Sequence, residues 1–413
     1  MRSWSEPSVP TLPLAPGELR LQGRDSDSLH AVGPQHGTAR LYVCGITPYD
    51  ATHLGHAFTY LTFDLVQRVW RDLGLAVEYT QNVTDVDDPL LERATATGVD
   101  WRELAHSEID LFREDMEALR VLPPDHYLGV VESLGPIEAL LTRLRDAGLL
   151  YQVDDDEYPD WYFPCRQAPG FGSVAGLDET AMIAEFAEHG GDPRRPGKRD
   201  PLDCLVWRLE RDGEPSWPSA FGPGRPGWHI ECTALALDTL GAAFDLQGGG
   251  SDLLFPHHEM CAAEATAVTG EPFAHFYAHA AMVGLDGEKM SKSKGNLVLV
   301  SQLRRQGADP MAIRLALLAH HYRTEWSWTP TDLVQAEERL ARWRKAVTGS
   351  VSVDAAPVVE AVRRSLREDL HADDALVALD HWGERSLVSS DDVPGARAMI
   401  RDAVDALLGI ALS

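Results

Sequence analysis

The sequence predicts an α/β fold with a doubly wound sheet, an insertion between two halves of that sheet and a helical C-terminal domain. A short apolar strand, a turn, a helix with apolar periodicity and a second strand follow one another over residues 40–83. Strand and helix patterns alternate again after residue 226, and helical patterns follow residue 300. Such alternation is typical of a parallel sheet covered by helices.

The predicted elements follow the chain in a regular order. Residues 1–38 form an N-terminal arm, which we expect to be loosely ordered because its first part is rich in proline. A catalytic domain spans 39–299 with an insertion at 150–226, and a helical C-terminal domain spans 300–413. The patterns predict strands at 40–44, 77–83, 242–247 and 273–284, and helices at about 56–72, 100–120, 134–148, 227–241, 257–270, 309–322 and 331–347.

Composition excludes several classes of protein. The chain has 413 residues, of which 44% are hydrophobic, so it can bury a large core. No apolar run reaches the ~18 residues that a membrane helix needs, and the first residues lack the apolar stretch of a secretory signal. We therefore expect a cytoplasmic protein without membrane contacts. We also expect a monomer, although nothing in the composition determines the oligomeric state. Five cysteines do not make a disulfide framework, so each is expected to be a core residue or a ligand.

Lysine is scarce except in one segment. The net charge is −27, and only five of the 37 basic residues are lysines. Three of the five lie within six residues, in the segment Lys289-Met-Ser-Lys292-Ser-Lys294. A flexible loop with closely spaced lysines can close over a triphosphate and neutralise charge as pyrophosphate leaves. A solvated run of charge is the alternative, and the scarcity of lysine elsewhere argues against it.

Two histidines open the first predicted helix. The segment Cys44-Gly-Ile-Thr-Pro-Tyr-Asp-Ala-Thr-His53-Leu-Gly-His56 follows the first strand. Glycine lets a ligand approach the backbone, and a helix N-terminus favours anions. His53 and His56 can therefore both point at a phosphate. A helix cap with two incidental histidines is the alternative.

Together the two motifs resemble the signatures of class I aminoacyl-tRNA synthetases. His53-Leu-Gly-His56 is similar to the first signature and Lys289-Met-Ser-Lys-Ser to the second, in the same order. The resemblance implies a Rossmann-like class I synthetase catalytic domain that uses ATP with Mg²⁺ to form an aminoacyl-adenylate. It also implies four catalytic residues, which stabilise the attack of a carboxylate on the α-phosphate by about 3 kcal/mol each: His53, His56, Lys289 and Lys292.

Five further segments are similar to the cysteinyl branch of that class. They are Cys44-Gly-Ile-Thr-Pro-Tyr-Asp, Asn82-Val-Thr-Asp-Val-Asp-Asp, Lys198-Arg-Asp-Pro-Leu-Asp, Gly227-Trp-His-Ile-Glu-Cys232 and Gly248-Gly-Gly-Ser-Asp-Leu-Leu-Phe-Pro-His-His-Glu259. The resemblance covers about residues 40–325 and implies that the chain activates L-cysteine.

The same resemblance implies one zinc ion per chain, bound by Cys44, Cys232 and His257. Zinc binds a thiolate far better than a hydroxyl, so it can separate cysteine from serine. Three protein ligands leave one tetrahedral position for the substrate sulfur. Cysteinyl-tRNA synthetases usually have a glutamate four residues after the zinc-binding histidine, where this chain has Cys261. Cys261 is either a fourth ligand or, as we expect, a packed helix residue.

The resemblance also assigns the cysteinyl-adenylate pocket. Gly250, Ser251 and Asp252 are expected to approach the adenosine, with the carboxylate of Asp252 suited to ribose hydroxyls. The main chain near Val283 is expected to contact the adenine edge. The other expected ligand-binding residues are Cys44, Gly45, Ile46, Thr47, Thr59, Asn82, Val83, Thr84 and Trp228.

The acceptor of the cysteinyl group has two candidates. The chemistry occurs in cysteinyl-tRNA synthetases and in the cysteine ligases of mycothiol biosynthesis, which join cysteine to the amine of glucosaminyl-inositol. Residues 351–413 carry 12 acidic and 6 basic side chains and no lysine, whereas a surface that grips RNA should be basic. This charge, the short C-terminal region and Cys261 favour the ligases, with glucosaminyl-inositol rather than nucleic acid as the partner. A cysteinyl-tRNA synthetase is the alternative, and intact signatures argue against an inactive binding module.

The insertion carries one more candidate element. Glu188-His-Gly-Gly-Asp-Pro193 is similar to a Glu-Arg-Gly-Gly-Asp-Pro segment of those ligases, with His189 in place of arginine. Glu188 or Asp192 could hold an amino sugar, and an acidic loop at a turn is the alternative.

Overall fold

Buried apolar strands form a central parallel sheet, around which the rest of the chain packs. The computed structural model describes residues 1–24, 28–285, 287–290 and 296–412. In that part of the chain the strands are β1 (Arg20–Gln22), β2 (Leu29–Ala31), β3 (Thr38–Val43), β4 (Ala76–Val83), β5 (His126–Gly129), β6 (Tyr151–Gln152), β7 (Trp161–Phe163), β8 (Cys204–Leu209), β9 (Gly224–Pro226), β10 (Phe244–Gly250), β11 (Ala274–Ala280), β12 (Val283–Leu285), β13 (Glu288–Lys289) and β14 (Trp326–Trp328).

The α-helices surround this sheet and form the C-terminal region. They are α1 (Leu54–Asp72), α2 (Asp88–Thr97), α3 (Trp101–Ala118), α4 (Leu134–Asp146), α5 (Glu179–Glu188), α6 (Trp228–Thr239), α7 (Glu259–Thr269), α8 (Val300–Arg305), α9 (Pro310–Leu318), α10 (Pro330–Thr348), α11 (Ala356–Arg367), α12 (Ala372–Val388) and α13 (Ala396–Leu408). None of the helices in the described ranges is long and apolar enough to span a membrane.

The strand order of the central sheet positions the site. Its five strands run in the order β11-β10-β3-β4-β5, and every neighbouring pair is parallel. The chain leaves β3 toward β4 on one side, whereas β10 lies on the other side of β3. Ligands of such sheets bind outside the carboxyl ends of the strands where the order reverses, which here means the ends of β3 and β10.

The predicted α/β class is confirmed. The predicted segments match, within a few residues, strands β3, β4, β10 and β11 and helices α1, α3, α4, α6, α7, α9 and α10. Strand β5 and helix α2 were not predicted. β5 has only four residues, which is too short for its alternation to be distinguished from a loop.

The insertion has its own antiparallel sheet and packs on the helices around it. Strands β6, β7, β8 and β9 pair in sequence order, and buried residues such as Phe163 and Trp207 share a second hydrophobic cluster with residues of α4, α6 and α7. The carboxylate of Glu259, at the start of α7, accepts hydrogen bonds of 2.7 Å from the backbone N–H groups of Gly172 and Ala175. These bonds fix the insertion against the helix that follows the site.

The chain after residue 300 is not purely helical. β14 pairs in parallel with β12, with Val283 opposite Trp326. The strand is three residues long, so its pattern was not recognisable in the sequence. The C-terminal helices share one hydrophobic cluster with the central domain, and the two regions therefore pack as a continuous core.

The N-terminal residues differ from the loosely ordered arm that we expected. Trp4 is buried, and its Nε1 donates a hydrogen bond of 2.8 Å to the carbonyl of Val121. Leu19 and Leu21 are also buried, and β1 pairs antiparallel with β2. Proline restricts a segment to extended conformations, and such a segment can still bury its apolar side chains against a neighbouring domain.

Candidate active site and metal centre

Cys44, Cys232 and His257 come together where the sheet order reverses. One ligand atom of each lies within 4.8 Å of the other two, and all three residues are buried. Cys44 directly follows β3, Cys232 lies in the second turn of α6, and His257 lies in the turn at 254–258 that precedes α7. The fold thus brings Cys44 together with two residues that are more than 180 positions further along the chain.

The chemistry of this set fits zinc. Two thiols and an imidazole are typical zinc ligands, and three of them leave a tetrahedral position open. The imidazole of His257 is held by its surroundings. The indole of Trp228 stacks on it with ring centroids 4.3 Å apart, and His229 Nδ1 lies 3.1 Å from His257 Nδ1.

The two thiols of the set differ in their ionisation. Burial raises the pKa of the Cys44 thiol well above its ordinary value, and the neighbouring Cys232 raises it further. Burial also raises the pKa of Cys232, but its contacts with Cys44 and His257 outweigh burial and lower that pKa well below the ordinary value. One thiol of the pair is therefore predisposed to be a thiolate, the form that binds a metal.

A second layer of side chains orients Cys44, and the sequence did not reveal it. Gln247 Nε2 lies 3.2 Å from Cys44 Sγ, and His258 Nε2 lies 3.3 Å from the same atom. His258 Nδ1 lies 2.8 Å from His279 Nε2. The doubled histidine at 257–258 was a signal for His258, whereas Gln247 and His279 belong to strands with no recognisable motif.

Cys261 lies beside the set rather than in it. Its Sγ donates to the carbonyl of His229 at 3.3 Å and lies 3.9 Å from His257 Nε2. Among the described residues, the groups of potential ligands within 4.8 Å of one another do not include Cys261. This placement supports a site with three protein ligands.

The predicted phosphate-binding histidines lie together at the N-terminus of α1. His53 is the N-cap, and its Nδ1 accepts hydrogen bonds from the N–H groups of Gly55 at 3.1 Å and His56 at 3.4 Å. The two imidazoles stack with centroids 3.8 Å apart. Because Nδ1 of His53 accepts, its Nε2 carries the proton of the neutral ring and is a hydrogen-bond donor. Capping therefore fixes which ring nitrogen of His53 carries the proton.

The chain on either side of the lysine cluster is also positioned. Lys289 pairs through its backbone with Gly284, while its side chain and the whole of Lys292 lie outside the described part of the structure. After that segment, the N–H of Leu54 donates to the carbonyl of Val298 at 2.9 Å, and the N–H of Val300 donates to Thr52 at 3.1 Å. The chain that follows the lysines therefore runs against the start of α1.

The predicted pocket residues form two groups. In the first, Asn82 Oδ1 accepts from the N–H of Gly45 at 2.8 Å, and Asn82 Nδ2 donates to Thr84 Oγ1 at 3.1 Å. The N–H of Thr84 donates to the carbonyl of Ile46 at 3.0 Å. The remaining members around this group are Thr47, which is half-buried after β3, and Val83, which is buried at the end of β4.

The second group lies around the end of β10. A Cβ atom added to Gly250 would lie 2.5 Å from Asp252 Oδ1 and 3.9 Å from Thr59 Oγ1. Ser251 and Asp252 begin the short 3-10 turn after β10, and Asp252 is exposed. Val283 is buried in β12.

A buried glutamate adjoins the metal set, and sequence reasoning gave it no role. Glu231 is 1% exposed, and its Oε2 has no hydrogen-bond partner among the described residues. Burial raises the pKa of Glu231 well above its ordinary value, and the charges of Asp87, Cys232 and Asp85 raise it further. Burial likewise raises the pKa of Asp87 to about 6. Glu231, Asp87 and Asp85 are called the acidic wall below.

The insertion element at 188–193 is engaged within the insertion. Glu188 is exposed at the end of α5. The carboxylate of Asp192 accepts from the hydroxyl of Tyr162 and forms an ion pair of 2.8 Å with Lys198. The role of Glu188 and Asp192 toward an amino sugar stays a prediction.

A second group of potential ligands is already satisfied by the protein. His321, Asp369 and His371 also have ligand atoms within 4.8 Å of one another. However, Arg323 donates to Asp369 Oδ2 at 2.6 Å and Tyr322 donates to Oδ1 at 3.0 Å. A guanidinium bound to the same oxygen disfavours a metal ion there.

Comparisons with known proteins agree with this geometry. A family model described as the tRNA synthetases class I (C) catalytic domain matches residues 31–338. A Thermobifida fusca (strain YX) protein named L-cysteine:1D-myo-inositol 2-amino-2-deoxy-alpha-D-glucopyranoside ligase is 60% identical over 413 residues, which cover 100% of this chain and 99% of that protein. A Nocardiopsis dassonvillei protein of the same name is 58% identical, with 100% of both chains covered.

Solved structures share the fold. The Mycobacterium tuberculosis methionyl-tRNA synthetase in complex with methionyl-adenylate has a TM-score of 0.63 at 17% identity, with 89% of each chain covered. An Agrobacterium radiobacter K84 leucyl enzyme, titled as a ternary LeuRS-tRNA-LeuAMS complex, has a TM-score of 0.64 at 12% identity, covering 90% of this chain and 84% of that chain. At these identities the likeness establishes the fold alone.

Proposed function

Because this chain belongs to the family of class I (C) tRNA synthetase catalytic domains, we propose that it is an ATP-dependent, AMP-forming ligase that joins L-cysteine to the amine of glucosaminyl-inositol. The observation that carries the proposal is the convergence of Cys44, Cys232 and His257 at the switch point of a nucleotide-binding fold. Relatives that match over the full length, at 60% and 58% identity, bear the ligase name.

In the first step the carboxylate of cysteine attacks the α-phosphate of ATP, and pyrophosphate leaves. The N-terminus of α1 provides a partial positive charge at this point, and the Nε2–H of His53 provides a hydrogen-bond donor. We assign Lys289 and Lys292 to the neutralisation of the leaving pyrophosphate, with Mg²⁺ bound to the nucleotide. In the second step the sugar amine attacks the carbonyl of the adenylate, the amide forms, and AMP leaves.

Selectivity for cysteine is assigned to the metal set. A zinc ion held by Cys44, Cys232 and His257 would favour a substrate thiolate over the hydroxyl of serine. The protein contributes the geometry of this set, because Gln247 and His258 contact the sulfur of Cys44 and Trp228 stacks on His257. Contacts of this kind fix ligand orientation and commonly change metal affinity by 10–100-fold when removed.

The C-terminal helices support the sugar amine over tRNA as the acceptor. They carry excess negative charge, and part of their surface is used within the protein. Arg363 of α11 forms a buried ion pair of 2.8 Å with Asp72 at the end of α1, and Arg367 forms one of 3.0 Å with the same carboxylate. Two of the six arginines beyond residue 350 are therefore neutralised internally, which leaves less positive surface for an RNA backbone.

The proposal is tested with purified protein and three assays. ATP and cysteine alone should give pyrophosphate exchange, and serine should support it at least about a hundredfold less well. Added glucosaminyl-inositol should give the cysteinyl amide and one AMP per amide. A tRNA that reads cysteine codons is the matched alternative acceptor. Charging of that tRNA without amide formation would replace the ligase assignment by cysteinyl-tRNA synthetase activity.

A further inference from the structure

The acidic wall places carboxyl groups beside the metal set. Glu231 precedes the ligand Cys232 in α6, and it lies three residues after Trp228, on the same side of that helix. Trp228 stacks on His257. Glu231 therefore lies beside the metal set, directly before the ligand Cys232 in the helix.

One carboxylate oxygen of the acidic wall has no hydrogen-bond partner among the described residues. Burial of a polar group without a hydrogen bond is costly, yet Oε2 of Glu231 is buried and has no partner in the described ranges. The nearby cation Arg225 is directed elsewhere, since its Nη2 donates to Asp88 and lies 3.3 Å from Glu214 Oε2. Asp85 Oδ1 accepts from the N–H of Val131 at 3.0 Å. A positively charged ligand is thus the partner that this arrangement lacks.

The geometry disfavours a metal ion as that partner. Among the described residues there are two groups of three potential metal ligands in which all ligand atoms lie within 4.8 Å of one another. Glu231 belongs to neither group. Carboxylates that are more widely spaced suit an organic cation, whose hydrogens can reach separate acceptors. A primary ammonium has three donors and is the compact cation of this kind.

We propose that the acidic wall binds the primary ammonium of a substrate, with Glu231 as the main acceptor and Asp87 as the second charge. This inference rests on the proposed function, because cysteine and glucosaminyl-inositol each carry an aliphatic primary amine that is an ammonium when protonated, whereas the adenine amino group of ATP is not protonated at neutral pH. The wall then orients the amine end of a substrate whose reacting carbon lies between the metal set and the histidines.

The test replaces Glu231 by glutamine, which keeps the shape and removes the charge. Two Michaelis constants are measured: that of cysteine in pyrophosphate exchange, and that of glucosaminyl-inositol in amide formation. At least one should rise about tenfold or more, which is the effect of losing a hydrogen bond to a charged group. A rise for cysteine alone assigns the wall to the α-ammonium, and a rise for the sugar alone assigns it to the acceptor.

A matched control distinguishes an ammonium contact from the loss of a buried carboxyl group near the metal. Glu264 is also fully buried on the neighbouring helix α7, but Thr233 donates to it at 2.6 Å and Cys204 lies 3.4 Å away. Glu264→Gln should leave both Michaelis constants within about twofold. Zinc content should stay at about one ion per chain in both variants, measured by elemental analysis.

Analogues without the amine give an independent readout. Glu231→Gln should leave unchanged the inhibition constants of 3-mercaptopropionate against cysteine and of glucosyl-inositol against the acceptor.

If Glu231→Gln fails to fold, Asp87→Asn is the second variant. It preserves the helix cap and should raise the Michaelis constant of cysteine or of glucosaminyl-inositol. Three results would overturn the inference. The Michaelis constants of both substrates could stay unchanged, Glu264→Gln could raise them as much as Glu231→Gln, or Glu231→Gln could weaken the binding of the analogues as much as that of the substrates. Failure of amide formation in the wild type would instead refute the proposed function, while the exchange assay with cysteine would still test the wall.

Discussion

Gly45 shows how strongly single positions of the site are constrained by the backbone around them. A Cβ atom at this residue would lie 1.5 Å from the carbonyl oxygen of Asn82, a distance that no side chain can accommodate. The same glycine donates its N–H to the side chain of Asn82. At the scale of the residue, the pocket therefore depends on the absence of a methyl group as much as on the polar groups that line it.

Gly45→Ala should destabilise the protein by about 3 kcal/mol or more, because strands β3 and β4 would have to separate at their carboxyl ends. Pyrophosphate exchange should fall with it. Gly135→Ala is the control, since it lies in α4 and a Cβ there meets no described atom within 4 Å outside its own local backbone. Urea unfolding should show a lower free energy of unfolding for Gly45→Ala. For Gly135→Ala the free energy of unfolding should change by under ~1 kcal/mol. Equal stability of the two variants would contradict this reading of the pocket.

The metal set gives a second prediction at the residue scale. Cys44→Ser, Cys232→Ser and His257→Ala should each lower bound zinc to well below one ion per chain, because two ligands hold zinc poorly. Cys261→Ala should keep about one ion, since Cys261 lies outside the set. Elemental analysis after dialysis measures this, with Cys165→Ser as a control for loss of a buried thiol elsewhere. Loss of zinc from Cys261→Ala would establish a fourth ligand.

At the scale of the element, the start of α1 is held by the chain that follows the lysine cluster. Leu299 forms an isolated antiparallel bridge with His53, and backbone hydrogen bonds flank it on both sides. The chain that follows the lysine signature is thereby joined to the histidine signature through backbone hydrogen bonds. We predict that these bonds couple the two signatures during pyrophosphate exchange.

Removal of one backbone donor tests this coupling. Val300→Pro removes the N–H that bonds to Thr52, and proline is tolerated because Val300 is the first residue of α8. Val300→Ala is the matched control, which loses similar packing but keeps the donor. The turnover of pyrophosphate exchange should fall about tenfold or more for Val300→Pro relative to Val300→Ala, with the Michaelis constant for cysteine within about twofold. Identical turnover in the two variants would show that the bridge is not needed.

At the scale of the whole molecule, a buried ion cluster joins the catalytic domain to the C-terminal helices. Asp64 of α1 accepts from Arg68 at 2.7 Å and from Arg314 of α9, and all three side chains are fully buried. Arg314 also donates to the carbonyls of Leu408 and Leu119, at 2.6 Å and 2.8 Å. The end of the chain is therefore tied to the first helix through charged groups that have no access to water.

Asp64→Asn should destabilise the protein by about 3–5 kcal/mol at pH 7, because two buried guanidinium groups lose their counter-ion. Burial raises the pKa of Asp64, but the charges of Arg314 and Arg68 outweigh it and lower the pKa below its ordinary value. The native pKa is then below the unfolded one, so this stabilisation is complete above about pH 4 and is lost as the pH falls through the native pKa.

Urea unfolding at pH 7 and at pH 3 measures the effect. The difference in the free energy of unfolding between Asp64→Asn and the wild type should be larger at pH 7 than at pH 3. The exposed ion pair of Asp110 with Arg113 is the control, since Asp110→Asn should cost under ~1 kcal/mol at either pH. A difference for Asp64→Asn that does not depend on pH would mean that the carboxylate charge is not what stabilises the cluster.

The sequence by itself determined the α/β class, the long elements and the residue types of the site. Strong apolar periodicity identified α1 and α10, and the two signatures and the spaced Cys and His residues pointed to nucleotide and thiol chemistry. These features are local, so they can be recognised in a single chain. Short elements such as β5 and β14 could not, because three or four residues carry too little pattern.

Only the tertiary structure decided which of those residues meet. Cys44, Cys232 and His257 come from three elements, and their distances depend on strand order rather than on any local pattern. The contacts of Gln247 and His258 with Cys44 and the placement of Cys261 outside the metal set have the same origin. So does the position of Glu231, whose Oε2 has no hydrogen-bond partner among the described residues. Packing over long sequence separations sets each of them, and local periodicity contains no information about it.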